Sequence, residues 1–268
     1  MKLIDTHSHI YAEEFDDDRQ EALARARAEG VGKLLLPAID AESDERMFDL
    51  VRAEAGYCYA MMGLHPTSVN DNPRWREELQ RVENYLATPP AGVEFCAVGE
   101  IGLDYYWSED FKTEQCEAFV EQCRLAVRLD LPVVIHTRSA WGDMCDILEA
   151  ETARAKESGG RLRGVLHAFS EDAATYRRLR DCGDFLFGIG GVVTFKKSAL
   201  AEVVKAMRLE DLVVETDAPY LTPAPHRGTR NESSYVRFVA AKIAELKGET
   251  YEKVASQTTA NAKRIFNL

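Results

Sequence analysis

The sequence predicts an α/β fold, a (β/α)₈ TIM barrel with an additional C-terminal helix, in a single domain over residues 1–268. Two observations lead to this prediction. Eight short apolar runs alternate with longer amphipathic stretches, and no linker-like segment or change in composition interrupts them. Eight such units in about 250 residues are typical of the closed barrel, whose parallel strands are buried on both faces and so read as nearly continuous apolar runs.

The predicted strands are spread along most of the chain. They span residues 2–7, 33–38, 58–64, 95–100, 133–136, 164–167, 185–189 and 212–216. An open, doubly wound sheet is the alternative for strands that alternate with helices. No GxGxxG segment follows the first strand, so the closed barrel is preferred.

Amphipathic helices are predicted between the strands and after the last one. Residues 111–129 show the helical period most clearly, with Cys116, Phe119, Val120 and Cys123 at positions i, i+3, i+4 and i+7. Two more helical segments follow the eighth strand. Thr250, two residues after Gly248, is predicted to be the N-cap of the second of them.

Composition and charge limit the classes of function. The net charge of −12, from 33 basic and 45 acidic residues, argues against a protein that coats nucleic acid by charge alone. It leaves room for a polyanionic substrate held by a few cations in a pocket. The six cysteines form no CxxC pair, which suits reduced thiols in the core rather than a disulfide framework.

The sequence also predicts a cytoplasmic location. No apolar run approaches the roughly 20 residues that cross a bilayer, and no basic segment followed by an apolar one begins the chain. We therefore expect no membrane contact, and nothing in the sequence indicates an obligate protein partner.

Potential metal ligands occur where the predicted strands end. His7 and His9 follow the first strand at a spacing of two, which places both side chains on the same face. In a (β/α)₈ barrel the carboxyl ends of all strands converge on one face, where active sites are built. The other residues at such ends are His65, Glu100, His136, His167 and Asp217.

Each of these residues has a structural alternative when judged singly. His136 and His167 could be core histidines, Glu100 could pair with an arginine, and Asp217 could cap a helix. Their joint occurrence favours metal binding. Four histidines and two carboxylates exceed what one tetrahedral ion needs, and a closed structural zinc site more often uses cysteines.

The donor set therefore predicts two divalent ions, about 3.5–4 Å apart and bridged by a carboxylate or a hydroxide. Glu100 is long enough to bridge them, and Asp217 could bind one ion and accept a proton from the attacking water. A hydroxide activated by two metals attacks phosphoesters, amides or esters. The predicted reaction class is hydrolysis.

Basic residues after the fifth, seventh and eighth strands indicate an anionic substrate, with phosphate favoured. Solvated loop charges are the alternative for the lysines and for Arg230 among them. Gly188, Gly190 and Gly191 lack the Walker spacing, so we interpret them as clearance near the site. The basic residues are Arg138, Lys196, Lys197, His226, Arg227 and Arg230.

Aromatic residues follow the fourth strand. Tyr105, Tyr106 and Trp107 come directly after Asp104. Rings at this position could stack on a nucleobase, and packing in the core or at the rim is the alternative.

Seven segments resemble the motifs of the TatD-type metal-dependent deoxyribonucleases. The likeness runs from the first strand to the last helices, and the motifs are jointly very specific. The segments are DTHSH at 5–9, GLHP at 63–66, GEIGLDY at 99–105, PVVIHTR at 132–138, HAFS at 167–170, ETDAPYL at 215–221 and PHRGTRN at 225–231.

This resemblance implies a TIM-barrel hydrolase of the amidohydrolase-like superfamily that cleaves DNA phosphodiester bonds. It implies two divalent ions, Mg²⁺ or Mn²⁺, with Zn²⁺ possible in the isolated protein, and 3′→5′ exonuclease action on single-stranded DNA. Two alternatives stay open: a metallohydrolase of an amide, lactone or aminoacyl ester, and a non-catalytic nucleic-acid-binding scaffold.

The resemblance also implies roles for individual residues. The chain departs from the family at Ser233, where proline is common, but this position is no ligand. The implied metal ligands are His7, His9, Glu100, His136, His167 and Asp217. The resemblance further implies that His65 contacts the scissile phosphate and that Arg227 does likewise. Together with the reasoning from residue types above, the predicted catalytic residues are Asp217, Glu100 and His65, and the predicted substrate-binding residues are His65, Arg227, His226 and Arg138.

Overall fold

A computed structural model describes residues 2–268. Its eight strands form one parallel sheet in which each strand pairs with the next along the chain. All eight predicted strands are present. They are β1 Leu3–Asp5, β2 Val31–Leu36, β3 Cys58–Met62, β4 Phe95–Asp104, β5 Val133–Arg138, β6 Arg163–Leu166, β7 Asp184–Ile189 and β8 Leu212–Val214.

The sheet curls round so that β8 lies beside β1. The amide of Thr6 donates to the carbonyl of Val214 at 3.1 Å, and the amide of Asp217 donates to the carbonyl of His7 at 2.9 Å. An isolated parallel bridge joins Ser8 to Ala218 just beyond the two strands. These contacts nearly close the barrel and confirm the predicted fold class.

The helices surround the barrel, and each of the first eight follows a strand. The predicted helix over 111–129 is confirmed as α4, and the additional C-terminal helix is α9. The Thr250 hydroxyl accepts from the amide of Lys253 at 3.2 Å, which confirms the predicted N-cap. The helices are α1 Arg19–Ala28, α2 Asp44–Ala53, α3 Trp75–Ala87, α4 Lys112–Leu129, α5 Trp141–Glu157, α6 Ala173–Cys182, α7 Leu200–Ala206, α8 Val236–Lys247 and α9 Tyr251–Phe266.

Helix α9 lies across the amino-terminal end of the barrel. The side-chain amide of Asn261 donates to the carbonyls of Leu209 and Leu212, at the start of β8. Apolar side chains of α9 join the barrel interior, to which each strand contributes one residue. The interior residues are Ile4, Leu35, Met61, Ala97, Val134, Val165, Leu186 and Val213. With this end filled, the carboxyl ends of the strands are left for a site.

Strand lengths differ from the predicted ones in a way that shapes that site. Strands β4 and β5 run on to Asp104 and Arg138, which pair in register, whereas β1, β2, β3, β6 and β8 end before their predicted limits. The close approach of β4 and β5 depends on Gly102, where a Cβ atom would lie 1.9 Å from the carbonyl oxygen of His136. As a result, His136 stands within a strand, whereas His7, His167 and Asp217 follow theirs.

The cysteines within residues 2–268 form no disulfide, and Cys58, Cys123 and Cys145 are buried. None of the helices that the structure describes has the length and hydropathy to cross a membrane.

Candidate active site

A cavity of about 750 Å³ opens at the carboxyl ends of the strands. The residues that line it include seven of the predicted site residues, which lie between positions 9 and 217 of the sequence. Glu100, His9 and His167 are buried, whereas His65, His136 and Asp217 are half-buried. His7 is wholly buried, and its ring stacks on that of His167 with centroids 3.4 Å apart. The lining residues of this predicted set are His9, His65, Glu100, His136, His167 and Asp217, together with Arg138.

His7 and His9 point the same way, as the strand spacing predicts. Their Nε2 atoms are 3.3 Å apart. The Oδ1 atom of Asp217 lies 3.8 Å from the first and 3.4 Å from the second. Together these three side chains form a cluster that could hold a metal ion.

Glu100 lies at the centre of the remaining donors. Its Oε2 is 3.1 Å from His7 Nε2, and its Oε1 is 3.1 Å from His136 Nδ1. Oε1 also lies 3.9 Å from His167 Nε2 and 3.7 Å from His65 Nε2. The two carboxylate oxygens thus face different histidines, which is the arrangement that a bridging ligand needs.

In three of the histidines a polar partner lies beside one ring nitrogen. His9 Nδ1 lies 3.3 Å from the Tyr11 hydroxyl, which donates its own proton to the carbonyl of Pro37 and must therefore accept from His9. His136 Nε2 lies 2.9 Å from Asp104 Oδ2. His167 Nδ1 lies 2.9 Å from Glu215 Oε1.

The partners of His9 and His167 accept, so this nitrogen carries the proton when the imidazole is neutral, and Nε2 of each ring then has a lone pair that faces the cluster. His136 has a carboxylate at both ring nitrogens, since Glu100 Oε1 lies 3.1 Å from its Nδ1. A metal ion beside Glu100 would be bound through Nδ1 of His136. Such partners orient histidines for metal binding and raise their basicity.

His65 has the opposite arrangement. Its Nδ1 accepts a hydrogen bond from the backbone amide of Thr67 at 3.2 Å. Burial lowers the pKa of His65 to about 4, so the ring is neutral near pH 7. A neutral ring with an accepting Nδ1 has its proton on Nε2. His65 therefore presents an N–H donor to the cavity, although it lies close enough to Glu100 and His136 to be counted among possible metal donors.

The electrostatics of the site favour a cation. Burial alone would lower the pKa of His167, yet Glu215, Asp217 and Glu100 together raise it to about 10. Burial likewise opposes the charged form of His136, and hydrogen bonds to Asp104 and Glu100 raise its pKa to about 9. The protons on these rings balance buried carboxylates in the metal-free protein. Divalent ions would supply that balance and release the protons, so the residues present fit a metal site.

Contacts between the loops after β1 and β8 position the ligands. The Asp5 carboxylate accepts from the amide and the hydroxyl of Thr216, at 2.9 and 2.6 Å. The hydroxyl of Ser233 donates at 2.9 Å to that of Ser8, which lies between the two histidines that follow β1. The residue at which the chain departs from the resembled family thus has a buried partner next to the site.

Sequence reasoning assigned no role to three groups that orient the ligands: Tyr11, Asp104 and Glu215. A signal for two of them was available. Glu215 precedes Asp217 by two residues, and Asp104 follows Glu100 by four. In an extended chain, side chains at even spacings point to the same face, so each of these carboxylates is expected on the face of its neighbouring candidate ligand. Nothing in the sequence marks Tyr11, because its contact depends on how β1 meets the residue after β2.

Gly188 in β7 and Gly191 just after it give clearance, as predicted. A Cβ atom at Gly188 would lie 2.1 Å from Glu215 Oε2. A Cβ atom at Gly191 would lie 2.1 Å from the carbonyl oxygen of Leu221. The space beside β7 is therefore filled by the carboxylate that anchors His167.

The predicted substrate-binding residues are not all brought together. Arg138 lines the cavity. His226 stacks on Tyr235 with centroids 4.2 Å apart, and the Arg227 guanidinium lies 3.7 Å from the centre of the Phe195 ring. Neither is among the residues that line the cavity.

The remaining basic residues also lie outside the cavity lining. Arg230 pairs with Asp18 and covers Phe15, so it holds the loop after β8 against the start of α1. Lys196 and Lys197 are exposed in the loop after β7.

Replacing Glu215 with glutamine should weaken metal binding about 10- to 100-fold, because His167 loses the charged acceptor that orients it. The change keeps the size of the side chain. Isothermal titration with Mn²⁺ measures the affinity. Glu149→Gln, which affects an exposed carboxylate paired with Arg178, is the control. Equal affinity in Glu215→Gln and the wild type would contradict the anchoring role.

Sequence comparisons place these features among known proteins. The family model described as TatD related DNase matches residues 4–267. YabD of Bacillus subtilis is 39% identical, with 99% of both chains covered. TatD of Mycobacterium tuberculosis is 38% identical, with 99% of this chain and 98% of that one covered. Both relatives are described as uncharacterized metal-dependent hydrolases.

Solved structures of other proteins have the same fold. YjjV, a TatD homolog from Escherichia coli, superposes with a TM-score of 0.87 at 30% identity, covering 99% of this chain and 98% of that one. An uncharacterized amidohydrolase from Saccharomyces cerevisiae superposes with a TM-score of 0.82 at 19% identity, covering 99% of each chain, a likeness of fold alone.

Proposed function

The chain belongs to the TatD-related DNase family of metal-dependent hydrolases, and from this premise we propose that it hydrolyses DNA phosphodiester bonds. We further propose that it acts as a 3′→5′ exonuclease on single-stranded DNA. Two divalent ions, Mg²⁺ or Mn²⁺, are the proposed cofactors.

One observation carries the proposal: possible metal donors and a hydrogen-bond donor face the same space around Glu100. Ring nitrogens of His9, His136 and His167 face the carboxylates of Glu100 and Asp217, whereas His65 faces the same space with an N–H group. Lone pairs and carboxylates suit cations, and an N–H group suits an anionic oxygen. A phosphate between the metal ligands and His65 would satisfy both.

The charge of the cavity wall supports a phosphate substrate as well. Arg138 is the one lysine or arginine among the described residues that line the cavity. Within residues 2–268 it has no carboxylate within ion-pair distance, so its guanidinium is available to a phosphate oxygen.

The side chains divide the work of hydrolysis. Bound divalent ions would lower the pKa of a water molecule and offset the charge that develops on the phosphate. The ligands proposed to hold them are His7, His9, Glu100, His136, His167 and Asp217. The Asp217 carboxylate, whose pKa is held below its usual range because His167 and His9 outweigh burial, is ionised and can accept the proton of the attacking water.

His65 and Arg138 act on the substrate. The Nε2–H group of His65 donates to a phosphate oxygen and stabilises the charge added in the transition state. Arg138 holds a neighbouring phosphate at the mouth of the cavity. Glu100 keeps the two halves of the site at a fixed separation through its contacts with His7 and His136.

The test is incubation of 3′-labelled single-stranded DNA with the protein and Mg²⁺ or Mn²⁺, with EDTA in a parallel reaction. With a metal ion we expect labelled mononucleotides from the start of the reaction, because the labelled 3′ nucleotide is the first to be released. With EDTA we expect none. A phosphorothioate at the last linkage should delay their release. Duplex DNA, RNA and a panel of esters, lactones and amides are tested in parallel as alternative substrates.

No nucleotide release with any of the metals, together with turnover of an ester or amide, would overturn the DNase proposal in favour of a different hydrolase. DNA binding without turnover of any substrate would favour the non-catalytic scaffold.

A further inference from the structure

We propose that Trp107, held beside Tyr106 and Arg138, is a stacking platform for an unpaired nucleobase of the nucleotide next to the cleaved bond. This inference rests on the proposed function and names what holds its substrate. It assigns a binding role to three residues at the ends of β4 and β5.

Exposed apolar side chains are concentrated at the mouth of the cavity. Trp107 is 66% exposed and Tyr106 is 56% exposed. Tyr220 and Leu221 stand at the mouth too, and Trp107, Tyr220 and Leu221 line the cavity. Among the described residues the other exposed large apolar side chain is Leu129, at the end of α4. Such concentration at one opening marks a binding surface.

A cation is built into this aromatic surface. The guanidinium carbon of Arg138 lies 3.5 Å from the centre of the Tyr106 ring and 5.4 Å from that of Trp107. The Tyr106 and Trp107 rings meet edge to face with centroids 5.0 Å apart. Tyr106 is thus covered by the arginine, while Trp107 keeps a ring face toward solvent. An exposed ring beside an uncompensated cation is the arrangement by which proteins hold single-stranded nucleic acid.

Backbone contacts tie the platform to the metal-binding side chains. The amide of Tyr105 donates to the carbonyl of Arg138 at 2.9 Å, and the amide of Tyr106 donates to the carboxylate of Asp104 at 3.0 Å. The other oxygen of that carboxylate is the partner of His136. The aromatic turn is therefore held by the same side chain that orients a proposed ligand, which fixes its position relative to the reacting phosphate.

The chemistry of stacking defines the ligand. Every base has a π face, so the platform accepts any sequence. In a duplex each base is stacked between its neighbours, so an interior base has no face to offer, whereas an unpaired strand end does. The platform therefore favours single-stranded DNA over duplex DNA and does not discriminate between base sequences.

The test compares binding of two fluorescein-labelled oligothymidines to the metal-loaded protein, followed by anisotropy. One has a normal 3′-terminal nucleotide and the other an abasic one, and both have a phosphorothioate last linkage to slow cleavage. Trp107→Ala should weaken binding of the normal strand about tenfold. Trp107→Phe should keep most of the affinity, and Leu129→Ala, which removes an exposed apolar side chain elsewhere, should leave it unchanged.

The abasic strand separates stacking from packing. Wild-type protein should bind it about tenfold more weakly than the normal strand, and Trp107→Ala should bind the two strands equally. If Trp107→Ala weakens both strands by the same factor, or neither, the platform is excluded. Thermal unfolding of each variant shows whether the fold is retained.

The two proposals fail separately. Cleavage of DNA that is indifferent to the terminal base and to Trp107 would overturn the platform and leave the DNase function standing. Base-dependent binding through Trp107 without cleavage of the unmodified strand would support the platform and overturn the DNase function.

Discussion

Replacing Glu100 with glutamine is expected to lower kcat for hydrolysis by about a thousandfold and to remove most of the bound metal. The change keeps the shape of the side chain and deletes its charge. Glu100 belongs to two of the three donor clusters, so its loss affects every proposed position for an ion except the one formed by His7, His9 and Asp217.

Metal analysis of the purified variant, together with steady-state kinetics on single-stranded DNA, measures both effects. Glu151→Gln is the matched control, since Glu151 is a buried glutamate paired with Arg124 on the outer helices. The control should keep its turnover and its metal. A Glu100→Gln variant that keeps wild-type metal content and kcat would contradict the bridging role.

Replacing Asp217 with asparagine is expected to lower kcat about 100- to 1000-fold while much of the metal stays bound. Asp217 belongs to one donor cluster only, and the clusters around Glu100 are complete without it. An amide cannot accept the proton of the attacking water, so the loss falls on kcat rather than on KM.

The contrast between the two variants is the decisive measurement. Glu100→Gln should lose metal and turnover together, whereas Asp217→Asn should lose turnover first. Asp44→Asn controls for loss of a buried aspartate, because Asp44 pairs with Arg81 and neither residue lines the cavity. Wild-type kcat in Asp217→Asn would exclude it as the proton acceptor.

The fold was predictable because buried parallel strands leave a strong signal. Apolar runs such as 133–136 and the helical period of α4 depend on local sequence and on burial alone. Strand ends were harder to predict. The extension of β4 to Asp104 depends on Gly102 and on the approach of β5. The sequence of neither segment alone indicates that the two will pair.

The convergence of the candidate metal donors was predictable for the same reason, since the carboxyl ends of the strands of a barrel meet on one face. Their chemistry was not. Whether His65 presents a lone pair or a proton depends on one hydrogen bond from Thr67, and the separation of His226 from the cavity depends on its stack with Tyr235. Such contacts are set by loop conformation, which the pattern of residue types does not determine.

The clearance at Gly188 also constrains how this protein can evolve. The space that a side chain there would need is occupied by Glu215, so the two positions are epistatic. A Gly188→Ala change must displace or shorten the side chain of residue 215, and either step disturbs the anchor of His167. The path to a larger residue at this position of β7 therefore passes through weakened metal binding, so the strand resists acquiring a new functional group there.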